Sequence, residues 1–396
     1  MTKLVFEDKS IDACYGCSAC QQVCAHNAIQ MVPNEEGFLY PQIDTNKCID
    51  CKLCIRVCPT QNENIYKLFN RLPKTVYASW QKLISERLDS TSGGVFFALA
   101  SQYISDGGVV YGVCYDQNLL AKHQRIDNIE DLRKTRGSKY MQSDINSTYQ
   151  QVKKDLQNGL SVLFSGTPCQ IAGLRLYLLK DYAHLTTVDF VCHGVPSPSF
   201  FQEHKVWLEK KYNKKLIDFK FRAKDKGGWR SYVRYIFEGN VSKSLFLSKD
   251  YYSHSFHLGY FNRLSCFECA FSKGERISDI TLSDFWNSEK FSRILKRQRK
   301  YGYNLVMCNT EKGKRLFDFL RDKLEVLEIP VQIATEGDVR LRHTEQCPPF
   351  RKNSYKILKE RGYDYMVKNF GAKTSIMQLI LPIWVKNLIR EIQSIL

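Results

Sequence analysis

Several things are missing from this 396-residue chain. No basic n-region followed by an apolar h-region opens it, so no secretory signal is read. No segment approaches the roughly 18–20 apolar residues that would span a bilayer, and the apolar run near the C-terminus is broken by Pro382. There is no low-complexity segment and, apart from two cysteine quartets, no internal repeat. No nucleic-acid motif appears, and the basic residues are not interleaved with aromatics as a stacking platform. These absences argue against an exported, membrane-spanning or nucleic-acid-binding protein. With 43% hydrophobic and 13% aromatic residues the chain can build a core, so it reads as globular and cytoplasmic, in two or three units.

Cysteine is what the chain has in excess. Of 15 cysteines, eight fall between Cys14 and Cys58. In a large chain that keeps its thiols reduced, such clustering reads as metal ligation rather than as a disulfide framework. Charge is also skewed. The formal net charge is +17, yet residues 1–60 hold five Lys/Arg against seven Asp/Glu. The basic remainder would suit anionic lipid, a phosphorylated ligand or an acidic redox partner, and charge does not choose among them.

The quartets are Cys14-x2-Cys17-x2-Cys20-x3-Cys24 and Cys48-x2-Cys51-x2-Cys54-x3-Cys58-Pro59. A cubane iron–sulfur cluster takes four soft thiolates, and in two-cluster ferredoxins the fourth cysteine of each run serves the other cluster. Cys14, Cys17, Cys20 and Cys58 are therefore assigned to one 4Fe–4S cluster and Cys48, Cys51, Cys54 and Cys24 to the second. Zinc, the alternative, favours two separated pairs. Glu36–Asp44 reads as a short strand pair joining the halves.

Beyond the polar stretch Gln61–Lys74, read as a linker, strands and helices alternate. Strands are predicted at Thr75–Trp80, Gly108–Tyr115, Ser161–Ser165 and Thr186–Val191. Helices are predicted at Gly94–Ile104, Ser147–Gln157 and Gln170–Leu179. The expected fold is a multidomain α+β and α/β chain: a bacterial ferredoxin-like module at 1–62, a linker at 63–75, and a mixed α/β flavin-binding core at 76–325 (parts 76–155 and 156–325). A mainly helical basic region follows at 326–396.

The core carries an ordered motif series: Ser92-Gly93-Gly94, Gly137-Ser138-Lys139-Tyr140, Ser165-Gly166-Thr167-Pro168-Cys169-Gln170 and Cys192-His193-Gly194-Val195-Pro196-Ser197. Phe221-Arg222-Ala223-Lys224 with Trp229, Cys266-Phe267-Glu268-Cys269, and Ser278–Trp286 continue it. In that order the series resembles the family of coenzyme F420 hydrogenase/dehydrogenase beta subunits, over roughly residues 1–325. One departure is Ser283 before Asp284, where the family pattern has glycine.

The resemblance implies an iron–sulfur flavoprotein oxidoreductase holding FAD and passing electrons between a ferredoxin- or flavodoxin-type carrier and a small molecule. The fused ferredoxin module is similar to a bacterial branch found among genes for cell-surface polysaccharide assembly. The competing implication is an electron-transfer subunit that feeds a partner enzyme.

The residues suit a flavin. Glycines at Gly93 and Gly94 let backbone amides at a helix start meet a pyrophosphate, although a plain helix cap with flexible glycines fits as well. Lys139 would neutralise phosphate and Tyr140 stack on a ring, against the alternative of a solvated basic turn. Gly166, Thr167, Pro168 and Gln170 follow a strand, where ligands sit in open α/β sheets.

A third 4Fe–4S cluster is expected on Cys169, Cys192, Cys266 and Cys269, positions that look like family ligands. The alternatives are buried structural cysteines or a reactive Cys169. His193 is the candidate catalytic residue, donating a proton or hydrogen-bonding the flavin, against the alternative of a structural histidine. Asp279 and Asp284 read as structural, and Cys114, Cys308 and Cys347 as packing residues. The C-terminal segment Ile376–Leu396 reads as an amphipathic helix, with Lys386 and Arg390 on its polar side, that either lies on the inner face of an anionic membrane or packs on protein.

Overall fold

The computed structural model describes Phe6 and residues 10–73, 75–224, 228–229, 232–286, 288 and 291–371. The amphipathic segment Ile376–Leu396 lies outside the described residues. In chain order the strands are β1 (Ile29–Pro33), β2 (Leu39–Ile43), β3 (Thr75–Gln81), β4 (Val109–Tyr115), β5 (Ala121–Ile126), β6 (Val162–Ser165) and β7 (Leu185–Phe190). They continue with β8 (Leu216–Ala223), β9 (Tyr232–Phe237), β10 (Val241–Phe246), β11 (Ile280–Asp284), β12 (Asn304–Cys308) and β13 (Leu324–Pro330).

Eight strands form the main sheet in the order β13-β3-β12-β11-β7-β6-β4-β5. Its centre, β11-β7-β6-β4, is parallel, and both flanks are antiparallel. Central strands read as near-continuous apolar runs because helices cover both faces. One face packs with Val95, Leu99 and Phe317, and the other with Tyr149, Ile171 and Leu174. The edge strand β13 crosses residue 325, so the expected start of a separate tail falls inside the sheet. A second, three-stranded sheet, β10-β9-β8, joins a helix at Pro198–Tyr212 and the helical segment Arg351–Phe370, broken by a kink at Gly362, around an aromatic core that includes Phe200, Phe201, Phe219 and Tyr363.

The strand pair of the N-terminal module forms, but from β1 and β2 with Ile29 opposite Ile43. Glu36 sits in the turn between them rather than in a strand, and Asn34 Oδ1 accepts the Glu36 and Phe38 amides to fold that turn. The module does not stand apart from the core. Cys17, Ala19 and Val57 belong to the same buried cluster as Tyr149, Phe164 and Ile171, and Phe38 is buried among the aromatics of the second sheet. The stretch read as a linker is also fastened. Asn70 donates hydrogen bonds to the Arg276 and Ser278 carbonyls, and Phe69 stacks on Phe271 at 5.8 Å.

Candidate functional site

The two quartets end in different surroundings. Cys14, Cys17, Cys20 and Cys58 are all buried. Burial pushes the Cys17 and Cys20 thiols well above their ordinary range, and their neighbours Cys14 and Cys58 add to it by like-charge repulsion. Burial likewise pushes Cys58 up to about 11. Cys48, Cys51 and Cys54 form a second neighbourhood nearer the surface, with Cys51 exposed, and Cys24 is half-buried. A thiolate grouping of this kind is stable only if cations neutralise it. No group of His, Cys, Asp or Glu among the described residues is arranged for one metal ion; a cubane cluster asks instead for one thiolate per corner.

The inner group leans on the core. Gly173, in the Pro168–Leu178 helix, has no room for a side chain: a Cβ there would lie 3.0 Å from both Cys17 Sγ and Tyr149 Oη. Arg263 is 1% exposed and ties module to core. Its Nε donates to the Cys14 carbonyl at 2.6 Å, Nη2 to the Leu39 carbonyl at 3.0 Å and Nη1 to Gln142 Oε1 at 3.0 Å. Three residues on comes Cys266 of the third set.

That third set is brought together from three places. Cys169 begins the helix after β6, Cys192 follows β7, and Cys266 and Cys269 lie in and at the end of a 3-10 turn at Leu264–Glu268. Burial raises Cys169 well above the usual range, with Cys269, Cys192 and Cys266 as the thiol neighbours that add to it. Burial also raises Cys192 to about 11 and Cys266 to about 12. Tyr15, next to Cys14, bridges the inner and third sets. Its phenol is raised first by burial and then by Cys269, and its oxygen accepts the Ala270 amide at 3.2 Å.

At the carboxyl ends of β6, β7 and β11 lies a cavity of ≈ 500 Å³, the position at which open α/β sheets bind ligands. Ser92, Gly94, Gly137 to Tyr140, Gly166 to Gln170, Cys192, His193, Cys266 and Cys269 all line it. Gly94 has φ 83° and caps the Val95–Ser105 helix without a side-chain hydrogen bond, a conformation that favours glycine. Thr91 Oγ1 accepts from the Ser138 amide at 2.8 Å and so links two of the motif loops.

Several expectations for individual residues are corrected here. Gly93 is not on the cavity wall; a Cβ there would meet the Ser79 carbonyl at 2.4 Å, so its role is close packing on β3. Lys139 turns its ammonium back onto the carbonyls of Lys134, Thr135, Arg136 and Gly137 at 3.3–3.4 Å and is not free for a phosphate. Tyr140 already stacks on Phe256 at 4.4 Å. The Ser92 hydroxyl is committed to the Tyr303 carbonyl at 2.6 Å.

Gln170 closes a capping box, its Oε1 accepting the Thr167 amide at 2.9 Å while its Nε2 donates to Ser143 Oγ at 3.0 Å. Cys347 is exposed rather than packed. Asp279 is structural as expected, accepting the Thr187 amide at 2.8 Å. Asp284 instead stands in the cavity wall, where it pairs with Arg222 at 2.8 Å. Where the family glycine is absent, Ser283 simply continues β11 opposite Leu305. His193 lines the cavity 3.7 Å from Asp338, whose carboxyl burial pushes up but His193 and Arg340 bring below its usual range.

Sequence reasoning missed Arg263, Arg340 and Tyr15. Tyr15 lies between Cys14 and Cys17 of the first quartet, the one signal that marked it.

Fold and thiol geometry define an iron–sulfur electron-transfer protein. Residues 13–62 match the 4Fe-4S dicluster domain, and residues 159–332 match the family described as coenzyme F420 hydrogenase/dehydrogenase, C terminus of the beta subunit. The match to coenzyme F420 hydrogenase/dehydrogenase beta subunits covers that stretch of the core, with the dicluster domain ahead of it. The F subunit of the F(420)H(2) dehydrogenase of Methanosarcina mazei is 23% identical over 340 residues, 81% of this chain and 85% of that protein. A chain of the F420-reducing NiFe hydrogenase complex from Methanosarcina barkeri aligns with a TM-score of 0.47 at 16% identity, over 74% of this chain and 94% of that one. Among the described residues no helix is long and apolar enough to cross a membrane.

Proposed function

We propose that the chain is an iron–sulfur flavoprotein oxidoreductase that takes electrons from a ferredoxin- or flavodoxin-type carrier at its outer cysteine set and delivers them to a small molecule in the cavity. The observation that carries this reading is that one cavity is lined both by the loop motifs suited to a dinucleotide and by the four thiols of the third set. In this reading Cys14, Cys17, Cys20 and Cys58 hold one 4Fe–4S cluster, Cys24, Cys48, Cys51 and Cys54 another, and Cys169, Cys192, Cys266 and Cys269 a third. FAD would lie against Gly94, Ser138, Gly166, Thr167 and Pro168. When bound, clusters supply one-electron transfer and a flavin couples it to two-electron chemistry.

The chain's own residues fit that work. At the start of the Val95–Ser105 helix Asn304 Oδ1 takes the Val95 amide at 3.3 Å, and the next N–H groups of the first turn are offered to an anion. Arg263 fixes the inner set against the third, and Asp338 stands 3.7 Å from His193, the proton donor of this proposal.

A second reading is an electron-transfer subunit that serves a partner enzyme. It is favoured by the likeness to a protein that is itself one subunit of a dehydrogenase. Anaerobic purification with iron, sulfide and flavin measured per chain separates the two. The first reading expects about twelve irons and one FAD. About eight irons without flavin, and a stably co-purifying partner, would overturn it in favour of the second.

A further inference from the structure

Arg222, near the end of β8, stands in the cavity wall with Asp284, Tyr140 and Trp286. Its side chain is 6% exposed. Nη1 is fully engaged, donating to Asp284 Oδ2 at 2.8 Å and to Tyr140 Oη at 3.0 Å, while the guanidinium carbon lies 5.2 Å from the Trp286 ring centroid. Nε and Nη2 are both buried, and neither has a hydrogen-bond partner among the described residues. In a guanidinium, Nε–H and the neighbouring Nη2–H point the same way, as a planar fork whose spacing matches the two oxygens of a carboxylate or phosphate.

Buried polar groups are rarely left unpaired, because each loses its hydration without replacement. Here the unpaired groups are one complete recognition edge of one side chain, held rigidly by bonds to its other nitrogen. The surroundings tolerate an anion in addition to Asp284: Lys224 and Arg87 lie in the same electrostatic neighbourhood.

We propose that Arg222 is the anion anchor of the cavity, its open edge taking in bidentate fashion a carboxylate or phosphate on the molecule bound there. Two sources share that chemistry, the reducible substrate and the phosphates of a flavin. Assigning it to the substrate rests on the function proposed above; the anchor itself rests on the cavity and the fork.

The test uses full-length holoprotein purified anaerobically as wild type, Arg222→Gln and Arg222→Lys, with iron and flavin measured per chain. Inorganic phosphate and acetate are the probes, titrated at constant ionic strength against chloride and read by thermal melting. Arg222→Lys keeps a cation for Asp284 but has no fork, so it serves alone if the glutamine variant fails to take up iron.

The expected result is that half-saturation by phosphate weakens at least about tenfold in the variants while iron content holds. With flavin content also unchanged, the anion belongs to the substrate. Loss of flavin at full iron content would instead place a flavin phosphate on Arg222. Variants that match wild type in both flavin content and anion response would overturn the anchor. A wild type that has no flavin, yet shows an Arg222-dependent shift, would end the flavin reading and leave the anchor standing.

Discussion

Two runs of the same spacing, Cys14 to Cys24 and Cys48 to Cys58, place their first three thiols in opposite environments. Cys14, Cys17 and Cys20 are buried, and Cys17 packs in the same apolar cluster as the central sheet. Cys51 is exposed, beside an Ile49 that is 63% exposed. Spacing alone fixes what the thiols ligate; what each set is for comes from what surrounds it. In the function proposed above, the outer set meets a soluble partner and the inner set hands electrons on to the core. The lesson extends to the third set, whose cysteines have no common spacing and are gathered by the carboxyl ends of β6 and β7 and a 3-10 turn.

The sharpest way to break this contrast is to remove one thiol from each set. Cys17→Ser should abolish the inner cluster and cooperative folding with it, because ligand binding there is also folding energy and the site is part of the core. Cys51→Ser should lose about four irons and leave the melting transition nearly in place. Iron analysis with thermal melting decides, and equal losses of stability would mean that the module folds as one unit whatever its contacts. The next largest effect is expected for Arg263→Gln. Shortening this buried side chain strands the Leu39 carbonyl and leaves the Cys14 carbonyl with the Ser265 hydroxyl alone, at a cost of about 3–5 kcal/mol in denaturant unfolding. Outer-set iron should be retained.

A pH titration probes the core side of the comparison. His123 is 6% exposed, with Nε2 3.0 Å from the Ser165 carbonyl and Nδ1 3.2 Å from Ser143 Oγ. Burial lowers its pKa to about 4. The unfolded chain therefore binds a proton in the window from about 6.5 down to about 4 that the folded chain refuses, so stability falls as pH falls through that window and levels off below it. The loss should reach at most about 3 kcal/mol. His123→Gln should flatten that part of the curve. An unchanged slope would show that the Ser165 to Gln170 loop does not depend on a neutral imidazole.

The expected strands and helices of residues 75–191 all form, each within one or two residues, because apolar runs and helix caps are local signals. The glycine and lysine roles were less legible. Gly93 faces the backbone of another strand, and Lys139 folds back onto carbonyls of the turn before it; both depend on a backbone path that motif spacing does not encode. Arg222 stood in a quoted motif with no role, since an empty hydrogen-bonding edge exists only once Asp284 and Tyr140 have taken the other. The seat of the ferredoxin module on the core was hidden by distance along the chain: Arg263 lies 249 residues from the carbonyl it holds.

The smallest effect tests the comparison most finely. Cys51 and Cys347 are the two exposed cysteines among the described residues. They differ in whether iron should claim them: Cys51 has Cys48 and Cys54 as neighbours, while Cys347 has Arg351 and Lys352 beside it and no thiol. Cys347→Ser should leave iron content unchanged and stability within about 0.5 kcal/mol. Exposure alone would make both thiols react with an alkylating reagent. Ligation predicts instead that the holoprotein labels once, at Cys347, that Cys347→Ser does not label, and that Cys51 becomes reactive only after iron is removed. Labelling of Cys51 in fully loaded protein would break the assignment of the outer cluster.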